Sequence, residues 1–148
     1  MSKKEELSQA LKEALRARDT RRKSTIRLTL AAIKNAEIQS RTELGEPQIL
    51  AIIQKEIKSR RETIEAAERA NREDLIVEAN EEIAILEAFL PQPLTTEELE
   101  KLARTAIAEA GATSPRELGN VMKLLMLQVQ GRADGKTVSQ VVKQLLSQ

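Results

Sequence analysis

The 148-residue chain contains no cysteine, histidine, tryptophan or tyrosine, and Phe89 is its one aromatic residue. Without cysteine there is no disulfide framework and no thiol nucleophile. Without histidine there is no imidazole base, and without either there is no zinc site of the usual Cys/His kind. One aromatic side chain leaves nucleic-acid bases almost nothing to stack on, which removes stacking as a main mode of recognition. Long apolar runs are also missing: no stretch approaches the roughly 18 residues that a membrane-spanning helix needs. The opening Met1-Ser2-Lys3-Lys4-Glu5-Glu6-Leu7 has no apolar h-region of a secretory leader. These absences lead us to expect a cytoplasmic protein with no membrane partner, no metal and no cofactor.

What is present is charge, and it is segregated. The net charge is +1. Residues 1–36 hold ten Lys/Arg against four Asp/Glu, and residues 37–90 hold seven against thirteen. The balance is three against five over 91–117 and four against one over 118–148. A chain that is nearly neutral yet basic at both ends suggests a polyanionic partner, although solvated helix faces give similar counts.

Helical periodicity runs through the whole chain, and no segment alternates with period two as a strand does. Ser2 and Glu5 form a capping box that opens a first helix with Leu7, Ala10, Leu11, Ala14 and Leu15 inward. The chain restarts at Asp19-Thr20 with a helix bearing Ile26, Leu30 and Ile33. That helix begins Arg21-Arg22-Lys23, cations that oppose the dipole at a helix N-terminus unless something uses them. Gly45 and Pro47 mark a connection, after which a long helix carries Ile49, Ile53, Ile57 and Ile64. Asn71 with Asp74 reads as the N-cap of a fourth helix with Leu75, Ala79, Ile83, Leu86 and Leu90 inward. Pro91 and Pro93 forbid helix continuation and stiffen the chain into an extended shape. We therefore expect an all-α protein: an N-terminal four-helix domain (1–90), a proline hinge (91–94) and a small three-helix domain (95–148).

In the second domain Thr95 and Glu98 cap a helix through Leu99, Leu102, Ala106 and Ile107, which Gly111 ends. Ser114-Pro115-Arg116-Glu117 is a strong start signal for the next helix, whose apolar face is Leu118, Val121, Met122, Leu125, Met126 and Val129. Gly131 follows its last periodic residue, where a left-handed cap is cheapest without a Cβ. Asp134 suits the N-cap of the last helix, which begins at Gly135 and buries Val138, Val141, Val142, Leu145 and Leu146. Two features exceed what folding needs. Gly119 near a helix start costs about 1 kcal/mol against alanine, which implies a close approach by a packed helix or a ligand backbone. Arg132 and Lys136 flank a fresh helix N-terminus, where free N–H groups favour an anion. A capped hairpin with solvated charges and a phosphate-binding corner both fit this pattern.

Several motifs resemble those of the YqeY family: Phe89-Leu90-Pro91 with Leu94-Thr95 and Glu97-Glu98-Leu99, then Gly119-x-Val121-Met122 with Met126 and Gly131-Arg132-Ala133-Asp134-Gly135. Arg27-Leu28, Lys58-x-Arg60-Arg61 and Asn71-Arg72-x-Asp74-Leu75 match its pattern upstream. Phe89 departs from it, since the family often has tyrosine there. The resemblance implies an all-helical protein whose C-terminal domain is similar to the tail of the B subunit of glutamine-dependent aspartyl/glutamyl-tRNA amidotransferase (the GatB/YqeY tail). It is also similar to a tail appended to some glutaminyl-tRNA synthetases. In those proteins the tail contacts tRNA while amide transfer occurs in other domains. Freestanding members carry, by association, the description of carbon–nitrogen ligases with glutamine as amide donor.

The expected role is a monomeric, non-catalytic module that binds tRNA through backbone and shape contacts and works with tRNA amidation or aminoacylation proteins. Arg132, Lys136, Lys123 and Lys143 are the expected contacts, with Arg21, Arg22 and Lys23 as a second set. Gly119, Met122, Gly131, Asp134, Gly135 and Pro91 shape the structure around them. Intrinsic catalysis is not expected, because releasing ammonia from glutamine needs a cysteine or a Ser–Ser–Lys arrangement in a Gly/Ser-rich loop. The alternative is a helical protein–protein adaptor, marked by an exposed apolar patch in place of a basic one.

Overall fold

The computed structural model describes all of residues 1–148 and contains seven α-helices and no strand. They are α1 (Lys3–Ala17), α2 (Thr20–Ser40), α3 (Glu46–Arg69), α4 (Glu73–Glu87), α5 (Thr96–Ala110), α6 (Leu118–Val129) and α7 (Gly135–Leu146). No helix is long and apolar enough to cross a membrane. The chain divides into two compact units, Met1–Leu90 and Pro91–Gln148. Residues 91–94, expected as a hinge, thus group with the second unit.

Local chemistry sets most helix starts. The Ser2 hydroxyl accepts from the Glu5 N–H at 3.1 Å, and the Asp19 carboxylate accepts from the Arg22 N–H at 3.1 Å. Two starts differ from expectation. Arg72, with no side-chain cap, precedes α4. Asn71 instead adopts φ 55° in the turn before it, a left-handed conformation that asparagine tolerates better than most residues. The Ser114–Glu117 signal opens a short 3-10 turn, Pro115–Glu117, that runs into α6. The Glu117 carboxylate reaches back to the Ser114 N–H at 3.2 Å, so the box forms around a tighter turn.

The first unit closes over Leu7, Ile26, Ile33, Ile53 and Leu86, all fully buried. Each such aliphatic side chain is worth about 1.5–3 kcal/mol of transfer free energy. Leu15, expected inward, is 45% exposed at the end of α1. Thr25 and Thr29 are buried on α2 instead, and their hydroxyls donate to the carbonyls of Arg21 (2.9 Å) and Thr25 (3.1 Å). Those bonds remove the cost of burying a bare hydroxyl. The second unit packs α5, α6 and α7 around Leu99, Ala103, Ala106, Val121, Leu125, Val129, Val138 and Val142. Met122 is partly buried against that cluster.

Candidate nucleic-acid interface

The corner between α6 and α7 is built by one left-handed glycine and one carboxylate. Gly131 takes φ 83°, a region closed to most side chains, and turns the chain so that the Arg132 and Ala133 N–H groups both donate to Val129 O at 2.8 and 3.2 Å. The Asp134 carboxylate then accepts from the Thr137 N–H at 2.7 Å, and Gly135 is the first residue of α7. One N–H of the fresh helix end is therefore taken by the chain's own anion.

Arg132 is engaged as well. Its Nε donates to the Gln92 carbonyl at 2.9 Å, its Nη2 lies 3.7 Å from a Glu98 carboxylate oxygen, and its own carbonyl accepts from the Leu94 N–H at 2.9 Å. The side chain and main chain of one residue thus bind the proline segment from Gln92 to Leu94. Pro91 begins this segment, and it cannot donate, so side-chain and loop contacts replace helix hydrogen bonds here.

Lys136 and Lys143 are different. Both are exposed on α7 and form no ion pair. Seven residues apart, they share one face about 10 Å apart along the axis, with Gln140 between them and no carboxylate on the helix. Lys123 is exposed on α6 beside Leu124 and Leu127, which are 36% and 79% exposed. Gly119 is exposed too, and a Cβ added to it would meet nothing within 4 Å. No helix of the chain packs closely there, so of the two approaches expected at Gly119 the packed helix is not found.

In the first unit the Arg21-Arg22-Lys23 cluster separates into two kinds. Arg21 is bound to three carboxylates of α4: it pairs with Glu78, lies 3.3 Å from Glu81 and reaches within 3.7 Å of Glu82. The hydrogen bond it donates to Glu78 holds its guanidinium further into the charged form, against the opposing effect of burial. Arg22 and Lys23 are half-buried and carry no ion pair.

The periodicity of single helices could not reveal the ion pairs that cross between helices. Arg60 of α3 is 9% exposed, and its guanidinium meets Glu82 of α4 at 2.7 Å and Glu56 at 2.8 Å. Glu82 is therefore shared between Arg21 and Arg60. Glu37 of α2 accepts from Lys4 Nζ at 2.7 Å and from the Leu44 N–H at 3.0 Å. These bonds, Lys4 first, hold its carboxyl below the usual range although burial pushes the other way. Arg72 and Asp74 bind each other through two hydrogen bonds of 3.1 and 2.9 Å, which raise the guanidinium and lower the carboxyl. No buried side-chain nitrogen or oxygen lacks a partner, and no group of three acidic side chains is placed to hold a metal. A concavity of about 790 Å³ beside the start of α1 is open and lined by both Lys4 and Lys12 and Glu37 and Glu46.

The profile of the Yqey-like protein family matches residues 4–146. The chain is 30% identical over 139 residues to altered inheritance of mitochondria protein 41 of Pyrenophora tritici-repentis, an alignment covering 92% of this chain and 76% of that one. The protein of the same name from Eremothecium gossypii is 37% identical over 69% of this chain and 56% of its own. That from Kluyveromyces lactis is 40% identical over 56% and 45%. The chain thus spans about half the length of the latter two. All three are named as mitochondrial proteins, and this overturns the expectation of a cytoplasmic protein.

Proposed function

The chain belongs to the Yqey-like family, and from that premise we propose that it is a non-catalytic accessory module that binds tRNA through phosphate contacts. Its setting is glutamine-dependent tRNA amidation, where other subunits carry the carbon–nitrogen ligase chemistry. The observation that carries the reading is the outer face of α7, where Lys136 and Lys143 stand exposed, unpaired and one face-repeat apart. Contacts of this type fix a protein on a nucleic acid without reading its sequence, and they suit a chain with a single, buried aromatic residue. Arg132, being held by Gln92, organises the corner beneath them. We read the two compact units as separate domains of four and three helices, the second corresponding to the tRNA-contacting tail.

The test is a titration of total tRNA and of matched duplex DNA at two salt concentrations, with the wild-type chain and with Lys136→Ala/Lys143→Ala. The double variant should bind tRNA more weakly and lower the slope of log affinity against log salt by about 1.4–1.8, the loss of two phosphate contacts. An unchanged slope and affinity would remove the interface. The alternative adaptor role is favoured by one observation, the exposure of Leu124 and Leu127 on α6, and would appear as tRNA affinity no greater than that of an unrelated helical protein of equal charge.

A further inference from the structure

Helix α2 is amphipathic on one side and apolar again on the other. Ile26 and Ile33 are buried in the core, yet Leu28 and Ile38 are 59% and 64% exposed. The exposed residues Ser24, Leu28, Ala31, Asn35 and Ile38 follow one another at spacings of four and three, the repeat with which one helix packs along another. Arg27 and Lys34 flank this seam, both exposed and without an ion pair. No Asp or Glu occurs between Thr20 and Ala36.

The complementary pattern is on α4. Glu73, Val77, Asn80, Ala84 and Glu87 are all exposed at the same spacings, with Asp74 and Glu81 alongside. Val77 is 55% exposed. Apart from Met1, the large apolar side chains exposed in the first unit are Leu15, Leu28, Ile38 and Val77, and three of these four lie on the two seams. One is flanked by cations and the other by carboxylates.

We propose that the two seams pair between copies of this chain, the outer face of α2 in one copy lying along the outer face of α4 in another. The unit is suited to this because its charge is segregated: residues 1–36 carry six net positive charges and residues 37–90 six net negative ones. Opposite faces attract between copies while the neutral unit as a whole adds no repulsion. Within one copy α2 packs against α4, so a two-fold axis beside them forms the contact twice and closes the assembly as a dimer. Glu73 has no ion pair. Asp74, Glu81 and Glu87 hold only surface pairs with Arg72, Arg21 and Arg61, which exchange at little cost. A nucleic acid would use Arg27 and Lys34 but would leave the exposure of Leu28, Ile38 and Val77 unexplained.

Sedimentation of the full chain tests the pairing. Two helix seams make a small interface, so the wild type should be dimeric at about 100 µM in low salt. It should dissociate as salt rises from about 50 to about 500 mM, which shortens the screening length several-fold. Arg27→Glu/Lys34→Glu and Glu73→Lys/Glu87→Lys should each be monomeric with unchanged helical circular dichroism. Mixing the two variants should restore a heterodimer, because their charges are again opposite. Leu28→Asp should be monomeric at every salt concentration. A wild type that stays monomeric, or a mixture that does not re-pair, overturns the proposal. So does loss of tRNA binding in Arg27→Glu/Lys34→Glu without any change of mass, since the face would then belong to RNA. The Lys136/Lys143 experiment is independent of these outcomes.

Discussion

Arg132 donates through Nε to the carbonyl of Gln92, 2.9 Å away and forty residues earlier in the chain. The bond joins the glycine-bounded turn before α7 to the proline segment before α5, and the reciprocal bond from Leu94 N–H to Arg132 O completes it. A residue that looks from the sequence like a free phosphate arm is thus the fastener of the small unit.

Replacing it tests that assignment. Arg132→Ala should lower the stability of the second unit by about 1 kcal/mol, the net worth of one partly exposed hydrogen bond. Arg132→Lys should not restore it, because a point ammonium lacks the planar fork that reaches the carbonyl. Thermal unfolding of the three proteins decides the matter, and equal melting temperatures would release Arg132 for a role in binding.

Gly119 gives a prediction opposite to that expected from the sequence. Its φ is not positive, and open space surrounds the position of a Cβ. Gly119→Ala should therefore stabilise the protein by about 0.5 kcal/mol, through the lost flexibility of the unfolded chain. Denaturant midpoints would show it. A loss of stability would mean that a neighbour does approach.

The contrast between Gly119 and Asp134 marks what the sequence can convey. Caps are decided within three residues, so Ser2, Asp19, Thr95 and Asp134 were legible as helix starts. Core faces repeat every turn, so Ile26, Ile53, Leu125 and Val142 were legible too. Interactions between helices have no local signature. Arg60 and Glu82 are 22 residues apart, and either could be a solvated surface charge for all that its neighbours in the chain reveal. The same holds for Arg21, which reads as one of three equivalent cations until α4 places its carboxylates around it. The reading of Asn71 as an N-cap fails for another reason: a left-handed turn residue and an N-cap draw on the same short polar side chains, and here Asn71 is the former.

Arg60→Ala should destabilise the first unit by about 2–3 kcal/mol, less than the loss of a wholly buried pair because Glu82 keeps Arg21 as a neighbour. Arg60→Met should cost less, since it retains the packing of the stem without the charge. Chemical denaturation of both variants measures the difference. Identical losses would show that the ion pairs alone, and no packing of the stem, are at stake; a neutral Arg60→Met would show the reverse.

Glu37 predicts a dependence on pH. Its folded carboxyl is held below the usual range by Lys4 and the Leu44 N–H. A depressed carboxyl contributes stability that is present above the unfolded value of about 4.3 and is lost as pH falls through the folded value. The melting temperature of Glu37→Gln should therefore lie below that of the wild type at pH 7, and the gap should close on acidification below pH 4. A gap that persists at low pH would assign the effect to shape, not charge.

Asp134 separates a helix cap from an anion site. Its carboxylate already accepts from the Thr137 N–H at 2.7 Å and adds a negative charge at the start of α7, so an incoming phosphate would meet both an occupied donor and repulsion. Asp134→Ala should cost about 1 kcal/mol of stability through loss of the cap. If tRNA is held by the Lys136–Lys143 face, the slope of log affinity against log salt should stay as it was. If the corner itself takes a phosphate, removing the competing carboxylate should tighten binding and steepen that slope by about 0.7–0.9. We expect the first result, because Asp134 and Arg132 are both bound to the chain's own groups while the two lysines are bound to none. A steeper slope would move the binding site from the face of α7 to its first turn.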